Sequence, residues 1–377
     1  AWLGILLSWR GRPWSGWLLA GLGVGLGILA KGPVILVYVL PALLLTPLWA
    51  REQRPAAWWR WYGGGLLALL GGAALALAWA LPAASAGGDA YRDAILWGQT
   101  ADRMVQSFAH QRPFWWYLPM LPVLLYPWIL WKPVWTGLRR RLDEGFDAGE
   151  RFALVTAAGG LLLFTLISGK QVHYLLPFIP LLALLAARAL QALPAGEHVP
   201  RWNVSVVVLP LLLLGLVLAI VPLTSLTGGQ PPWVVQMSPL WGLLVAVAAI
   251  AAAAIAGRLG PALWPGSVAL LLLAALFPGV LRDIAGHYEI NTMATRVAGA
   301  QQSGRPAAYA GNYNGELNFA GRLTAPVQQV RRKELPLWIS AHPHGVVVGR
   351  AEEPPPDAEA GILHWQSYRS SYLVLRE

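Results

Sequence analysis

WNVSVVVLPLLLLGLVLAIVPLTSLTGGQPPWVVQMSPLWGLLVAVAAIAAAAIAG, residues 202–257, contains no aspartate, glutamate, lysine or arginine. A helix crosses a bilayer core with about 20 consecutive apolar residues, so this one stretch holds two crossings, Asn203–Ser225 and Met237–Ala256. Outward from it, further uncharged runs cover residues 13–30, 32–50, 61–88, 113–131, 152–169, 171–187 and 259–281. They place spans at Trp14–Ala30, Pro33–Trp49, Tyr62–Ala84, Phe114–Trp135, Phe152–Ile167, Gln171–Leu190 and Gly260–Leu281. The fold class is mainly α: a polytopic transmembrane helical domain of about nine spans, preceded by the apolar remnant Ala1–Ser8.

Only 12% of the 377 residues are charged, against about 25% in an ordinary soluble domain, which excludes a soluble globular protein. Charge is also unevenly placed. Residues 1–281 carry 18 basic and 9 acidic side chains, while the 96 residues that follow carry 10 and 9. The chain therefore divides into a membrane domain, 1–281, and a small soluble domain, 282–377. In the latter, strand-like runs at Ala307–Ala310, Val327–Val330, Gly345–Val348 and Tyr372–Leu375 join helical stretches at Asn291–Gln302 and Gly315–Arg322. With Glu352–Glu359 as a proline-bearing loop, they describe a compact α/β appendage.

The basic excess belongs to the membrane part, where it orients the spans. With the loop of Arg51, Arg54 and Arg60 in the cytoplasm, the same side collects Arg10, Arg12, Arg139, Arg140, Arg141, Arg151, Arg188, Arg201 and Arg258. The opposite side has Lys31, Arg92, Arg103, Arg112 and Lys170. The positive-inside rule then places residues 282–377 outside the cytoplasm. A net charge of +10 distributed in this way is a topology signal and does not point to nucleic acid. Of 21 tryptophans, 19 precede residue 282, many beside span ends, as in an interfacial aromatic belt. The absence of cysteine excludes disulfides and thiolate metal sites. Ala1 lies within apolar sequence with no basic segment or cleavage site before it, which reads as an N-terminally truncated chain.

Few segments carry chemistry. Gly21, Gly23, Gly25 and Gly27 form two overlapping G-x-x-x-G pairs; they lack the third glycine of a dinucleotide loop and suit close helix packing in lipid. Lys31 follows at a short outer hairpin, Leu29–Pro33, as either a cation held beside a lipid phosphate or a lysine snorkelling to headgroups. The external loop Asp89–Arg112 mixes Tyr91, Ile95, Trp97, Met104 and Phe108 with Arg92, Arg103 and His110, the pattern of an interfacial helix. At the second outer hairpin, Ser168–Tyr174, Lys170, His173 and Tyr174 set a cation, an imidazole and a phenol within two helical turns, suited to clamping an anion. His342 and His344 are split by Pro343, and with His287 and His364 they show no metal-ligand spacing.

At these motifs the chain resembles the polyprenyl-phosphate-sugar-dependent membrane glycosyltransferases of the GT-C class, which include protein O-mannosyltransferases and lipid A aminoarabinose transferases. GLGVGLGILAKGP at 21–33 looks like that family's glycine-rich span ending in Lys-Gly. The loop through Arg103 and the entry Pro113–Pro119, PFWWYLP, look like its external loop and following span. SGKQVHYLLP at 168–177 looks like its Lys-x-x-x-Tyr-x-x-Pro hairpin. The terminal soluble domain fits its bacterial branch.

The resemblance implies sugar transfer, with inversion, from a polyprenyl-phosphate donor to a lipid or protein acceptor on the outer face of a bacterial cytoplasmic membrane. It implies no nucleotide cofactor, while the absence of a metal-ligand set is read from the residues themselves. Lys31, Arg103, Lys170, His173 and Tyr174 are the residues expected to offset the charge of the departing lipid phosphate. The carboxylate that deprotonates the acceptor is expected on an N-terminal external loop with no counterpart here, and the later Asp89, Asp93 and Asp102 are not assigned to that role. Where relatives often carry acidic or histidine residues, this chain has Gly98-Gln99-Thr100. The rival class is a transporter or flippase of lipid-linked sugars, which would place ionisable residues at mid-membrane; here the polar groups gather at the span ends.

Overall fold

The computed structural model describes residues 1–87, 92, 112–194, 197, 199–224, 237–356, 361–369 and 371–377. Among the described residues, five helical stretches are long and apolar enough to cross a membrane: Pro13–Leu44, Trp58–Ala86, Ala148–Leu166, Val172–Gln191 and Arg201–Leu223. Shorter apolar helices cover Phe114–Leu124, Pro239–Ile255 and Trp264–Leu276. The chain forms two compact units, residues 1–204 with 259–265, and residues 205–258 with 266–377.

In the first unit, α1 (Trp2–Trp9) turns through Gly11, whose φ of +85° suits glycine, into α2 (Pro13–Lys31). The stretch to Leu44 is not one straight rod. Gly32 has φ +73° and ψ −165°, and α3 (Ile35–Leu44) folds back on α2. A Cβ on Gly27 would lie 2.5 Å from Ile35 Cγ1; eight residues along a continuous helix would separate them by about 12 Å. The short hairpin expected at Leu29–Pro33 is therefore present. After α4 (Thr46–Trp49) comes α5 (Trp58–Ala86), which runs beside α2 in the same direction.

The glycines explain this bundle. On one side of α2, Gly21 meets Ala68 and Gly25 meets Gly72, at a constant offset along α5 that makes the two helices parallel. On other sides, Gly23 meets Ala1 and Gly27 meets Ile35. The two G-x-x-x-G pairs thus serve different neighbours. Each absent side chain lets backbones approach closely where lipid supplies no hydrophobic drive between helices.

The expected span Phe114–Trp135 is not a single helix. A 3₁₀ turn at Phe114–Trp116 leads into α6 (Tyr117–Leu124), a second turn covers Trp128–Leu130, and α7 (Lys132–Glu144) follows. Pro119, Pro122, Pro127 and Pro133 interrupt the run; each lacks an N–H and crowds the preceding turn. Hydropathy registers the apolar side chains and is blind to this break. Asn203, fully buried, stitches the junction by donating to the Leu130 carbonyl at 2.8 Å and accepting from the Lys132 N–H at 3.0 Å.

The amphipathic helix α7 packs its Gly137 on the Ala189 carbonyl of α9 (Ile179–Gln191). Between them in sequence lies α8 (Ala148–Leu166), which starts at a capping box formed by Asp147 and Glu150. The buried Glu150 also receives a two-pronged bond from Arg141, at 2.9 and 2.7 Å. Arg188 pairs with Asp147, and Arg151 with Glu52. These arginines, counted in sequence as cytoplasmic topology signals, also tie α7, α8, α9 and the loop at residue 52 together.

In the second unit, α10 (Arg201–Ile220) and α11 (Pro239–Ile255) are antiparallel, with Gly215 against Ala246 and Gly242 against Ala219. Helices α12 (Trp264–Leu276) and α13 (Val280–Gly286) lead to the terminal α/β part. There α14 (Asn291–Gln302), β1 (Ala307–Ala310), α15 (Glu316–Gly321), β2 (Gln328–Val330), α16 (Leu335–Ala341), β3 (Val346–Ala351), β4 (Ile362–Tyr368) and β5 (Ser371–Arg376) form a five-stranded sheet with helices. The strand order is β2-β1-β3-β5-β4, with the first three parallel and β5 antiparallel to both neighbours. Met293, Val297, Leu317, Val346, Val348, Leu373 and Leu375 make its core. β4 and α16 had no sequence expectation. β4 is an edge strand whose His364-Trp365-Gln366-Ser367 lacks apolar alternation, and α16 is only seven residues long. The interfacial helix expected in Asp89–Arg112 falls largely outside the described residues, of which Arg92 is helical.

Candidate functional site

The hairpins at Leu29–Pro33 and Ser168–Tyr174 are brought to one end of the first unit by an aromatic cluster. Phe164, near the end of α8, is its centre, with Tyr38 of α3 at 5.3 Å between ring centroids and Tyr174 stacked on it at 5.5 Å. Tyr38 also meets Phe178 at 5.2 Å, and Trp2 meets Phe178 at 6.0 Å. Such pairs add stability beyond their buried area. Val34, three residues past Lys31, and Ile167, three residues before Lys170, both pack on this cluster.

Hydrogen bonds set the register. The Tyr38 hydroxyl donates to the Tyr174 carbonyl at 2.8 Å, and the Tyr117 hydroxyl of α6 donates to the Gln171 carbonyl at 3.3 Å. The segment entering α6 docks on the hairpin as well: the Arg112 N–H donates to the Ser168 carbonyl at 3.2 Å. After Gln171 the chain adopts a 3₁₀ run, Val172–Phe178, before α9; Pro177 removes one N–H from it.

Lys170 is the unusual residue here. It is only 3% exposed, and its ammonium donates to the main-chain oxygens of Ile167 and, at 3.3 Å, Arg112. Among the described residues it has no carboxylate partner. Burial holds its pKa below that of an ordinary lysine, because the charged form is desolvated. His173 is exposed and sits edge-on to Tyr174 at 4.8 Å. Lys31 ends α2 on the neighbouring hairpin, exposed.

Four of the five residues singled out in the sequence, Lys31, Lys170, His173 and Tyr174, are thus carried by adjoining hairpins; Arg103 lies outside the described residues. Sequence reasoning missed Tyr38 and Tyr117, which position the Lys170 hairpin through its carbonyls. A buried tyrosine inside an apolar span reads as packing until its hydroxyl partner is seen. It also missed the carbonyls of Ile167 and Arg112, since main-chain groups leave no compositional trace. In the terminal α/β part, His287 bonds Ser367 at 3.1 Å and His342 stacks on Trp338.

The chain superposes on the crystal structure of ArnT from Cupriavidus metallidurans bound to undecaprenyl phosphate, with a TM-score of 0.63 over 97% of this chain and 69% of that one, at 18% identity. The chain has the ArnT fold. The apo ArnT structure gives a TM-score of 0.62 with the same coverage of this chain. No family model matches the chain. By sequence, it is homologous to proteins named undecaprenyl phosphate-alpha-4-amino-4-deoxy-L-arabinose arabinosyl transferase. That of Pseudomonas aeruginosa strain UCBPP-PA14 is 35% identical over 247 residues, covering 64% of this chain and 42% of the relative. That of Edwardsiella ictaluri strain 93-146 is 32% identical over 244 residues, covering 64% and 41%. The matched region spans about two fifths of the length of these curated relatives of ArnT fold.

Proposed function

We propose that this chain is part of an integral-membrane glycosyltransferase that takes a sugar from a polyprenyl-phosphate donor and delivers it to a lipid or protein acceptor. The donor phosphate sits at the end of the first unit formed by the Lys31 and Lys170 hairpins. The observation that carries this reading is Lys170: an ammonium buried against carbonyl oxygens, without a counter-charge among the described residues. Such a group gains most when an anion arrives, since burial without a paired charge is what makes it costly.

The chemistry follows from the leaving group. An acceptor oxygen attacks the anomeric carbon, the bond from that carbon to the phosphate oxygen breaks, and the phosphate departs with the electron pair. Negative charge grows on that oxygen as the bond opens, so a fixed cation stabilises the transition state more than the ground state. Lys170 supplies the buried cation. Lys31, on the adjoining hairpin, supplies a second at the surface, with His173, Tyr174 and Arg103 completing the headgroup environment.

The relatives' names support undecaprenyl phosphate carrying 4-amino-4-deoxy-L-arabinose as the donor, held in the bilayer. The bacterial relatives support a cytoplasmic membrane location, and the arginine distribution supports residues 282–377 as a separate extracytoplasmic domain. The test is binding of undecaprenyl phosphate to the chain in nanodiscs. Lys170→Gln should weaken it about ten- to a hundredfold, the worth of a charge-assisted contact of roughly 1.5–3 kcal/mol. Unchanged affinity in that variant, with the fold intact, would remove Lys170 from the donor site.

A further inference from the structure

The Ser168 hydroxyl is buried and has no hydrogen-bond partner among the described residues. Buried polar groups in folded proteins are almost always satisfied, and an orphan marks the place of a ligand or water. Two other hydroxyls, of Ser8 and Thr156, are also orphans, but both belong to helices, where a small rotation brings the carbonyl four residues back within reach. Ser168 lies beyond the end of α8 at Leu166, and the extended ψ of 135° at Ile167 takes its side chain out of the helical geometry that such a return bond needs.

Its setting identifies the ligand. Ser168 and Lys170 are fastened to the same residue: the Ser168 carbonyl accepts from the Arg112 N–H at 3.2 Å, and the Lys170 ammonium donates to the Arg112 carbonyl at 3.3 Å. A hydroxyl with an unused proton therefore lies two residues from a buried cation with no counter-charge. Neutral donor and cation together suit a tetrahedral oxyanion with several acceptor oxygens, which one lysine alone leaves partly unsatisfied.

We infer that Ser168 is a second ligand of the anion served by Lys170, its Oγ donating a hydrogen bond to a phosphate oxygen of the lipid-linked donor. This rests on the donor-site reading of Lys170 given above. The orphan hydroxyl is a cost to the donor-free protein and is discharged when the phosphate binds. Removing it should therefore act oppositely on the two states.

The experiment uses the chain in phosphatidylcholine nanodiscs, with undecaprenyl phosphate as one probe and inorganic phosphate as the other, reading Kd and thermal midpoint. Ser168→Ala should leave the donor-free midpoint equal or higher and weaken binding of the lipid phosphate roughly two- to tenfold, as for one neutral hydrogen bond. Ser168→Thr, which keeps the hydroxyl, should restore affinity. Wild-type affinity in Ser168→Ala, beside weakened binding in Lys170→Gln, overturns the role of Ser168 and leaves the donor site standing. Wild-type affinity in both variants overturns both readings, and loss only in Ser168→Ala overturns the shared site. A lower donor-free midpoint in Ser168→Ala overturns the inference in favour of a hydroxyl that holds the hairpin itself. A Ser168-dependent response to inorganic phosphate with none to the lipid overturns the lipid source.

Discussion

The Tyr38 hydroxyl donates a 2.8 Å hydrogen bond to the main-chain carbonyl of Tyr174, 136 residues away in sequence. Through it, α3 on the side of Lys31 holds the backbone on which Lys170 and His173 are mounted. Tyr38→Phe keeps the ring contacts with Phe164 and Phe178 and removes only this bond. The variant should lose about 1 kcal/mol of stability and bind undecaprenyl phosphate less tightly, measured by thermal melting and titration in nanodiscs. Full affinity in Tyr38→Phe would mean that the aromatic cluster alone sets the hairpin.

Glycine substitutions should separate packing from composition. A Cβ on Gly25 would lie 2.7 Å from the Leu75 side chain and 2.9 Å from the Gly72 carbonyl, whereas one on Gly71 meets nothing within 4 Å. Gly25→Val should force α2 and α5 apart and cost on the order of 1–3 kcal/mol, as overpacking does. Gly71→Ala, one position from the interface, should be neutral or slightly stabilising. Thermal midpoints of the two purified variants decide; equal midpoints would contradict the parallel contact of α2 with α5.

Lys170 also sets a pH dependence whose sign follows from burial. Its folded pKa is below the ordinary lysine value of 10.5, so between the two the unfolded chain holds a proton that the folded chain has released. The donor-free protein therefore gains stability from this group as pH rises through that window. Phosphate binding needs the charged form and so weakens over the same window, at a lower pH than an unperturbed lysine would give. Titrations between about pH 8 and 10.5, where a phosphate monoester is already fully ionised, should show this fall in affinity. Lys170→Arg, charged throughout, should flatten it.

Among the ion pairs of α7, α8 and α9, position rather than number should decide importance. Glu150 is 2% exposed and holds both a forked Arg141 and the capping box, while Glu144, on the same arginine, is 57% exposed. Glu150→Gln should lower the thermal midpoint clearly more than Glu144→Gln, because it keeps the cap but leaves the Arg141 guanidinium facing a buried neutral amide. Equal effects would make this cluster a surface network.

A chain without cysteine allows direct topology mapping. Gln53→Cys, in the arginine-rich loop after α4, should react with membrane-impermeant maleimide only after lysis of intact cells. Ser340→Cys, exposed in the terminal domain, should react from outside. External labelling of Gln53→Cys would invert the orientation.

Two classes of fact were legible before any coordinates. Apolar runs of membrane length are a property of composition, so α2, α5, α8 and α10 lie where charge is absent, and the polar terminal segment formed the strands expected at Ala307–Ala310 and Tyr372–Leu375. The glycine pairs of α2 likewise announced close contact, because removing a side chain has no other common use in a membrane helix. What they touched was not legible. Gly21 and Gly25 face α5, and Gly23 and Gly27 face α1 and α3, an allocation that depends on which way each helix runs.

Sequence alone thus determined that the chain is membrane-spanning, where its charges cluster, and which two hairpins carry lysine, since these follow from the side chains themselves. Only the tertiary structure decided that Phe114–Trp135 breaks at its prolines, that Tyr38 and Tyr117 reach the carbonyls of Tyr174 and Gln171, and that Lys170 is buried against Ile167 and Arg112 while the Ser168 hydroxyl has no partner among the described residues. The physical reason is that these relations run through main-chain oxygens, whose chemistry is the same at every residue. Their meaning comes from which side chain is folded against them.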